Sequence, residues 1–320
     1  MQSGKLVVVG AGAVGSSIAY AALIRSSARD IVLYDVDGPK VDAQVLDLAH
    51  GTQFTGVGSV SGGNDIAVAG GADVVVITAG AKQKPGQSRL DLAGTNAEIL
   101  RTVLPPLLAV SPDAVYLLVT NPCDVMTVIA QRILGLPSGR VFGSGTLLDT
   151  SRLRWLIAQK AGISRSSVHA SIVGEHGDTE FPLWTGASIG GVPLKDWELP
   201  DGEKPFSPQV LDELTREVAN AAYRVIAGKG ATNYAIGLSA ARIIEAVLRG
   251  EDAVLPVSSV LDGPYGMSGV ALSLPSVVGT GGVRSVLNVP MDDGERERLA
   301  RSAAAIQAAL DALMLPERGS

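Results

Sequence analysis

The chain has 320 residues, 46% hydrophobic but only 4% aromatic, with 38 glycines. Its core must therefore be aliphatic and packed through Ala and Gly, which suits helices laid close on a parallel sheet better than an aromatic-rich sandwich. A net charge of −6 with no long basic run excludes a sequence-independent grip on nucleic acid, which needs clustered Lys and Arg to displace counterions.

The single cysteine, Cys123, excludes an intrachain disulfide and gives no sign of an oxidising compartment. No uninterrupted run of about 18 apolar residues is present, so no membrane span is expected. A strand-like run over 5–9 stands where a secretory leader would place its apolar helix, and a soluble cytoplasmic protein is the expectation.

In chain order, short aliphatic runs at 6–9, 31–34, 74–78 and 115–119 predict strands. Between and after them, helical patterns occupy 13–26, 41–49, 91–108 and 124–134. The strands are continuously apolar, as expected when helices cover both faces of a parallel sheet. Repeated β-α-β alternation predicts right-handed crossovers and a Rossmann-type doubly wound sheet. The pattern changes near residue 145, which divides the chain into a nucleotide-binding domain over 1–145 and an α+β substrate domain over 146–320. The second half predicts a helix at 147–161, a strand at 168–173, helices at 208–227 and 231–249, strands at 254–261 and 269–278, and a last helix at 292–313.

Gly10-Ala-Gly12-Ala-Val-Gly15 follows a strand and opens a helix. Gly10 permits a tight turn, Gly12 lets the backbone approach a pyrophosphate, and Gly15 allows close helix–strand packing. Glycine is abundant enough here to scatter such patterns, so the motif gains weight from Asp35. That residue ends the next strand, where its carboxylate would accept from ribose hydroxyls and repel a 2′-phosphate, favouring NAD over NADP. The alternative for Asp35 is a polar residue closing a strand. The strand ends Thr78-Ala-Gly80-Ala81 and Val119-Thr120-Asn121 lie on the same carboxyl edge, where doubly wound sheets place their ligand.

Reversible reduction of a 2-oxo acid requires a proton donor, a carboxylate clamp, a group polarising the carbonyl, and exclusion of water. There are three histidines, His50, His169 and His176. His176 lies in Gly174-Glu-His-Gly-Asp178, a turn straight after a strand. Alone it would read as surface decoration. Asp149 and Arg152, at i and i+3 near the start of a helix, change that reading: one could orient an imidazole, the other could pair bidentately with a substrate carboxylate. The alternative is an ordinary surface ion pair. The polar loop through Gln83 and Gly86 to Arg89 is a candidate lid that would bring Arg89 over a carbonyl.

These motifs, with Thr120-Asn121-Pro122 and Thr232 and in this order, resemble the L-lactate/L-malate dehydrogenase family over essentially the whole chain. The resemblance implies NAD as cofactor and no metal. It implies His176 as acid and base, Asp149 as its partner, Arg152 as the clamp, Arg89 as the polarising lid residue, and Asn121 touching both substrate and nicotinamide. Val14, Lys40, Gly80, Ala81 and Ser144, with Val119, fall where the family lines its cofactor groove.

The malate branch typically carries arginine where this chain has Gln83, so a neutral Gln83 leaves oxaloacetate's second carboxylate unpaired and favours pyruvate and L-lactate. Thr232 fits a small substrate end as well. Arg154 and His169 resemble the two basic residues of bacterial members activated by fructose 1,6-bisphosphate, which implies a homotetramer paired across two-folds. Without the resemblance, Arg154 would be an outward arginine and His169 a strand histidine. The rivals are a malate dehydrogenase and a non-catalytic NAD-sensing protein. Cys123 reads as a small apolar filler in preference to a reactive thiol. Gln83→Arg is expected to shift kcat/KM from pyruvate towards oxaloacetate; an unchanged ratio would remove Gln83 from specificity.

Overall fold

The computed structural model describes residues 4–56, 58–81 and 89–314, the side chains of Arg89 and Met314 excepted. The first half runs β1 (Lys5–Val9), α1 (Ala13–Ile24), β2 (Asp30–Tyr34), α2 (Gly38–His50), β3 (Ser59–Gly63), β4 (Val74–Ile77), α3 (Arg89–Val110), β5 (Val115–Leu118), α4 (Cys123–Leu134) and β6 (Val141–Gly143). The second half opens with α5 (Leu147–Ala161). Short strands follow: β7 (Val168–His169), β8 (Ile172–Val173), β9 (Phe181–Pro182), β10 (Ser188–Ile189) and β11 (Val192–Pro193). It closes with α6 (Pro208–Lys229), α7 (Tyr234–Arg249), β12 (Ala253–Asp262), β13 (Ser268–Gly279), β14 (Gly282–Val286) and α8 (Asp293–Met314).

Among the described residues nine strands form one sheet, in the order β14-β13-β12-β6-β5-β4-β1-β2-β3. The run from β3 to β6 is parallel, and β12, β13 and β14 join it antiparallel. The strand order reverses between β1 and β4, which opens the crevice such folds use for ligands. Alternate side chains of each strand feed two cores. Val7, Val75, Tyr116 and Leu118 pack towards α3, α4 and α8; Leu6, Val8, Val76 and Leu117 pack towards α1 and α7. A third core holds α5, α6, β7 and β10. Among the described residues no helix is long and apolar enough to cross a membrane.

Local chemistry sets the element ends. Asp37 caps α2 by accepting the Lys40 N–H at 3.2 Å, and Asp292 and Glu295 form a reciprocal capping box at the start of α8. Pro105 and Pro106 lie inside α3, where an interior proline costs about 3 kcal/mol. The helix continues because Leu100, Leu104 and Leu107 are fully buried, each contributing roughly 1.5–3 kcal/mol.

The expected strand over 168–173 divides in two. β7 pairs with β10 and β8 with β9, in separate small sheets. The backbone between them is satisfied by side chains of α5: Arg154 Nε donates to Ala170 O at 2.9 Å, and Thr150 Oγ1 accepts from Ile172 N at 2.9 Å. β3, β6, β14 and the hairpin strands β9–β11 join the strands predicted from the sequence.

Gly10 adopts φ +104°, and a Cβ at Gly15 would lie 1.8 Å from Gly10 O, whereas one at Gly12 meets nothing within 4 Å. Gly15→Ala is expected to destabilise the protein by ~1–3 kcal/mol, seen as a Tm several degrees lower. Gly12→Ala should leave Tm unchanged, and equal Tm values for the two variants would contradict this packing.

Candidate active site

The glycine turn of β1–α1 and the carboxylate of Asp35 meet at the carboxyl edge of the sheet. Asp35 Oδ2 accepts the Ala11 N–H at 2.7 Å and the Lys40 ammonium at 2.9 Å, and Oδ1 accepts the Asp37 N–H at 3.1 Å. Partial burial would raise its pKa, but Lys40 and the N–H donors outweigh that and hold it below the usual carboxylate range. A carboxylate fixed in its charged form one residue past β2, beside an open backbone at Gly12, fits the adenosine ribose and pyrophosphate of a dinucleotide. Val14 stands half-buried in the first turn of α1.

Gly80 and Ala81 follow β4, and Val119 and Asn121 follow β5. Asn96 of α3 joins the two ends: its Oδ1 accepts from Ala81 N and its Nδ2 donates to Asn121 O, each at 2.7 Å. A Cβ at Gly80 would lie 2.6 Å from Thr120 Cγ2, so the two strand ends are in tight contact. The Asn121–Pro122 bond is cis. Ser144, after β6, is buried with its Oγ 3.8 Å from Cys123 Sγ. Burial pushes the Cys123 thiol up to about 12, so it is an apolar filler and not a thiolate.

The chemical centre is assembled by α5 and the turn after β8. Thr146 Oγ1 donates to Ile172 O at 2.6 Å, and the Thr150 Oγ1 bond to Ile172 N fixes the start of α5 against β8. Ser273 of β13 completes the frame. Its backbone N–H and C=O pair with Gly174, and its hydroxyl accepts from Thr146 N at 3.1 Å. Asp149 and His176 are thereby held face to face, with His176 Nδ1 2.7 Å from Asp149 Oδ2. Arg152 donates to the other oxygen of Asp149. The Asp149 side chain is 2% exposed, so this is no surface ion pair.

Burial alone would lower the pKa of His176, but the charge of Asp149 and its hydrogen bond raise it to about 9. Asp149 is shifted the opposite way: burial would raise it, yet His176 and Arg152 hold it below the ordinary carboxylate value.

Two acidic residues not singled out in the sequence complete the centre. Glu180 Oε2 lies 3.9 Å from His176 Nδ1, and burial together with the neighbouring Asp149 pushes its carboxyl well above the usual range. Asp124 Oδ2 accepts the backbone N–H of His176 at 2.7 Å. Glu180 is four residues past His176, and Asp124 is a charge inside a helix buried from Cys123 to Ala130. That spacing and that misfit were the available signals. Asn96, a buried amide on the apolar face carrying Ala93, Ala97 and Leu100, was signalled in the same way.

The remaining expected residues fall elsewhere. Arg89 begins α3, and Gln83 lies outside the described residues. Thr232 is in the α6–α7 connection beside Asn233, whose Nδ2 donates to Ser17 Oγ of α1 at 2.9 Å. His169 is exposed on β7, and the Arg154 bond to Ala170 O brings Arg154 to within one residue of it.

A dinucleotide-binding edge beside a His–Asp pair built on a buried carboxylate fits an NAD-dependent oxidoreductase. The family models for the lactate/malate dehydrogenase NAD binding domain and alpha/beta C-terminal domain match residues 4–143 and 146–314. An L-lactate dehydrogenase of Bifidobacterium animalis subsp. lactis is 51% identical over 93% of this chain and 93% of its own length. One from a Synechococcus strain is 43% identical over 96% and 98%. The crystal structure of the minor L-lactate dehydrogenase from Enterococcus mundtii, in a ligands-bound form, superposes with TM-score 0.93 at 39% identity, covering 99% of this chain and 100% of that one. The chain belongs to the lactate/malate dehydrogenase family.

In the reductive direction the rate is expected to fall as pH rises through the value at which His176 loses its proton, about 9. In Asp149→Asn that limb should move down towards 6.5, the ordinary histidine value, with kcat at neutral pH reduced by ~10²-fold or more. A limb that stays in place would separate Asp149 from the chemistry.

Proposed function

We propose that this protein is an L-lactate dehydrogenase, interconverting pyruvate and L-lactate with NAD, with residues 1–145 as the NAD-binding domain and 146–320 as the catalytic domain. The observation that carries this is the chain Arg152–Asp149–His176, built on the buried Asp149 carboxylate. Because Nδ1 of His176 is taken by Asp149, proton transfer falls to Nε2. Asp149 fixes that tautomer and stabilises the imidazolium.

In reduction, His176 gives its Nε2 proton to the carbonyl oxygen of pyruvate and takes it back in oxidation of L-lactate. Arg152 turns from Asp149 to pair with the substrate carboxylate, and Arg89 polarises the carbonyl. Asn121, fixed through its carbonyl by Asn96, contacts substrate and cofactor. Gly10, Gly12, Gly15 and Asp35 hold NAD, with Val14, Lys40, Gly80, Ala81, Val119 and Ser144 lining its groove; when bound, the reduced cofactor supplies the hydride. Gln83 and Thr232 border the methyl end of pyruvate.

Regulation by fructose 1,6-bisphosphate belongs to the same reading. It is supported by the Arg154 Nε bond to Ala170 O, one residue past His169 on β7, and by His169 being open to solvent. A homotetramer is supported by large apolar side chains left exposed on two helices that pack together, Tyr20 and Ile24 of α1 and Tyr234 and Leu238 of α7. The proposed location is the cytoplasm.

The test is NADH oxidation with pyruvate and with oxaloacetate, each with and without fructose 1,6-bisphosphate. Pyruvate is expected to be preferred by roughly 10²-fold or more in kcat/KM, and the bisphosphate to activate in wild type but not in Arg154→Gln. Preference for oxaloacetate would make this a malate dehydrogenase. An unchanged activation constant in Arg154→Gln would remove the bisphosphate site.

A further inference from the structure

Asp124 is 1% exposed, in the first turn of α4, just beyond the cis Asn121–Pro122 bond. Its two oxygens are used by two other segments of the chain. Oδ2 accepts the backbone N–H of His176 at 2.7 Å, and Oδ1 accepts the hydroxyl of Ser258 on β12 at 2.5 Å. Both donors are neutral, and burying a carboxylate against neutral donors is costly compared with burying an amide. An asparagine of the same shape could accept from His176 N through its oxygen and donate to Ser258 Oγ through its NH₂. The hydrogen bonds alone therefore do not require a charge at this position.

The charge acts on what surrounds it. Besides its bonds to His176 N and Ser258 Oγ, Asp124 is close enough to interact by charge with the His176 imidazole and Glu175 on the turn and with Cys123 on its own helix. The imidazole is the group among these that gains from a negative neighbour, and Asp124 adds to Asp149 in favouring its charged form. We propose that Asp124 is a positioning residue for His176, its hydrogen bonds fixing the turn against α4 and β12 and its charge, from the backbone side, stabilising the imidazolium.

This rests on the reading of His176 as proton donor, but its test need not. The chain has only three histidines, so the full-length protein labelled in histidine gives three imidazole titrations by NMR, His176 being identified by its absence in His176→Gln. In Asp124→Asn the His176 titration should move down by about 0.5 pH unit or more, because a like-shaped neutral group no longer favours the cation. His50 and His169 should stay in place. In the pyruvate assay the basic limb of kcat/KM should move by the same amount with KM little changed, and Asp124→Ala, which also frees the turn, should lose more kcat than Asp124→Asn.

Wild type compared with Ser258→Ala supplies a check should these variants fail to fold. Burial raises Asp124 to about 6 against the opposing Ser258 bond, so the His176 resonance should carry a minor step near pH 6. Ser258→Ala should move that step upwards, distinguishing it from Glu180. A His176 titration unmoved in Asp124→Asn, or a minor step missing or indifferent to Ser258→Ala, overturns the proposal. A shifted titration without turnover of pyruvate would overturn the lactate reading and leave this one standing.

Discussion

The hydrogen bond between His176 and Asp149 is the constraint around which the second half of the chain is arranged. A 2.7 Å contact between an imidazole and a carboxylate that is itself 2% exposed tolerates little error in either backbone. The turn that carries His176 is tied by Ser273 to the main sheet, by Ser302 of α8 through the Thr179 carbonyl, and by Asp124 to α4. The start of α5, which carries Asp149, is tied to the same β8 and the same Ser273. Residues distant in sequence are thus referred to one short stretch of β13, and the pair inherits the rigidity of the sheet.

The same centre holds more acid than base. Asp149, Glu180 and Asp124 surround His176, while Arg152 is the cation paired directly with Asp149. Carboxylates this close in a buried place do not share one ionisation behaviour. Asp149 is held charged by its two cationic neighbours, Glu180 is pushed towards its neutral form, and the imidazole takes the positive charge that the arrangement favours. Environment assigns different tasks to side chains of the same type.

Much of this was legible in the sequence because it depends on local chemistry. The glycines of the first turn, the acid one residue past β2, and the i,i+3 pair Asp149 and Arg152 are short-range patterns with a single geometric meaning. What escaped depends on distant packing. β3 is Ser-Val-Ser-Gly-Gly, with no apolar run, and forms only because β2 offers it an edge. The stretch 168–173 has the composition of one strand, yet α5 side chains occupy its middle carbonyl and amide. Asp124 and Asn96 are polar residues on apolar stretches of helix, and their meaning lies in partners 52 and 25 residues away.

The seam between β6 and β12 has a mechanical consequence. Gly143 and Phe142 of the nucleotide half pair directly with Ser258 and Ser259 of the other half, within one continuous sheet. Two bodies that share a hydrogen-bonded ladder cannot open and shut like jaws without tearing it. Heat should melt both halves in one cooperative event, and a protease nick in the connection after β6 would leave the fragments clasped together.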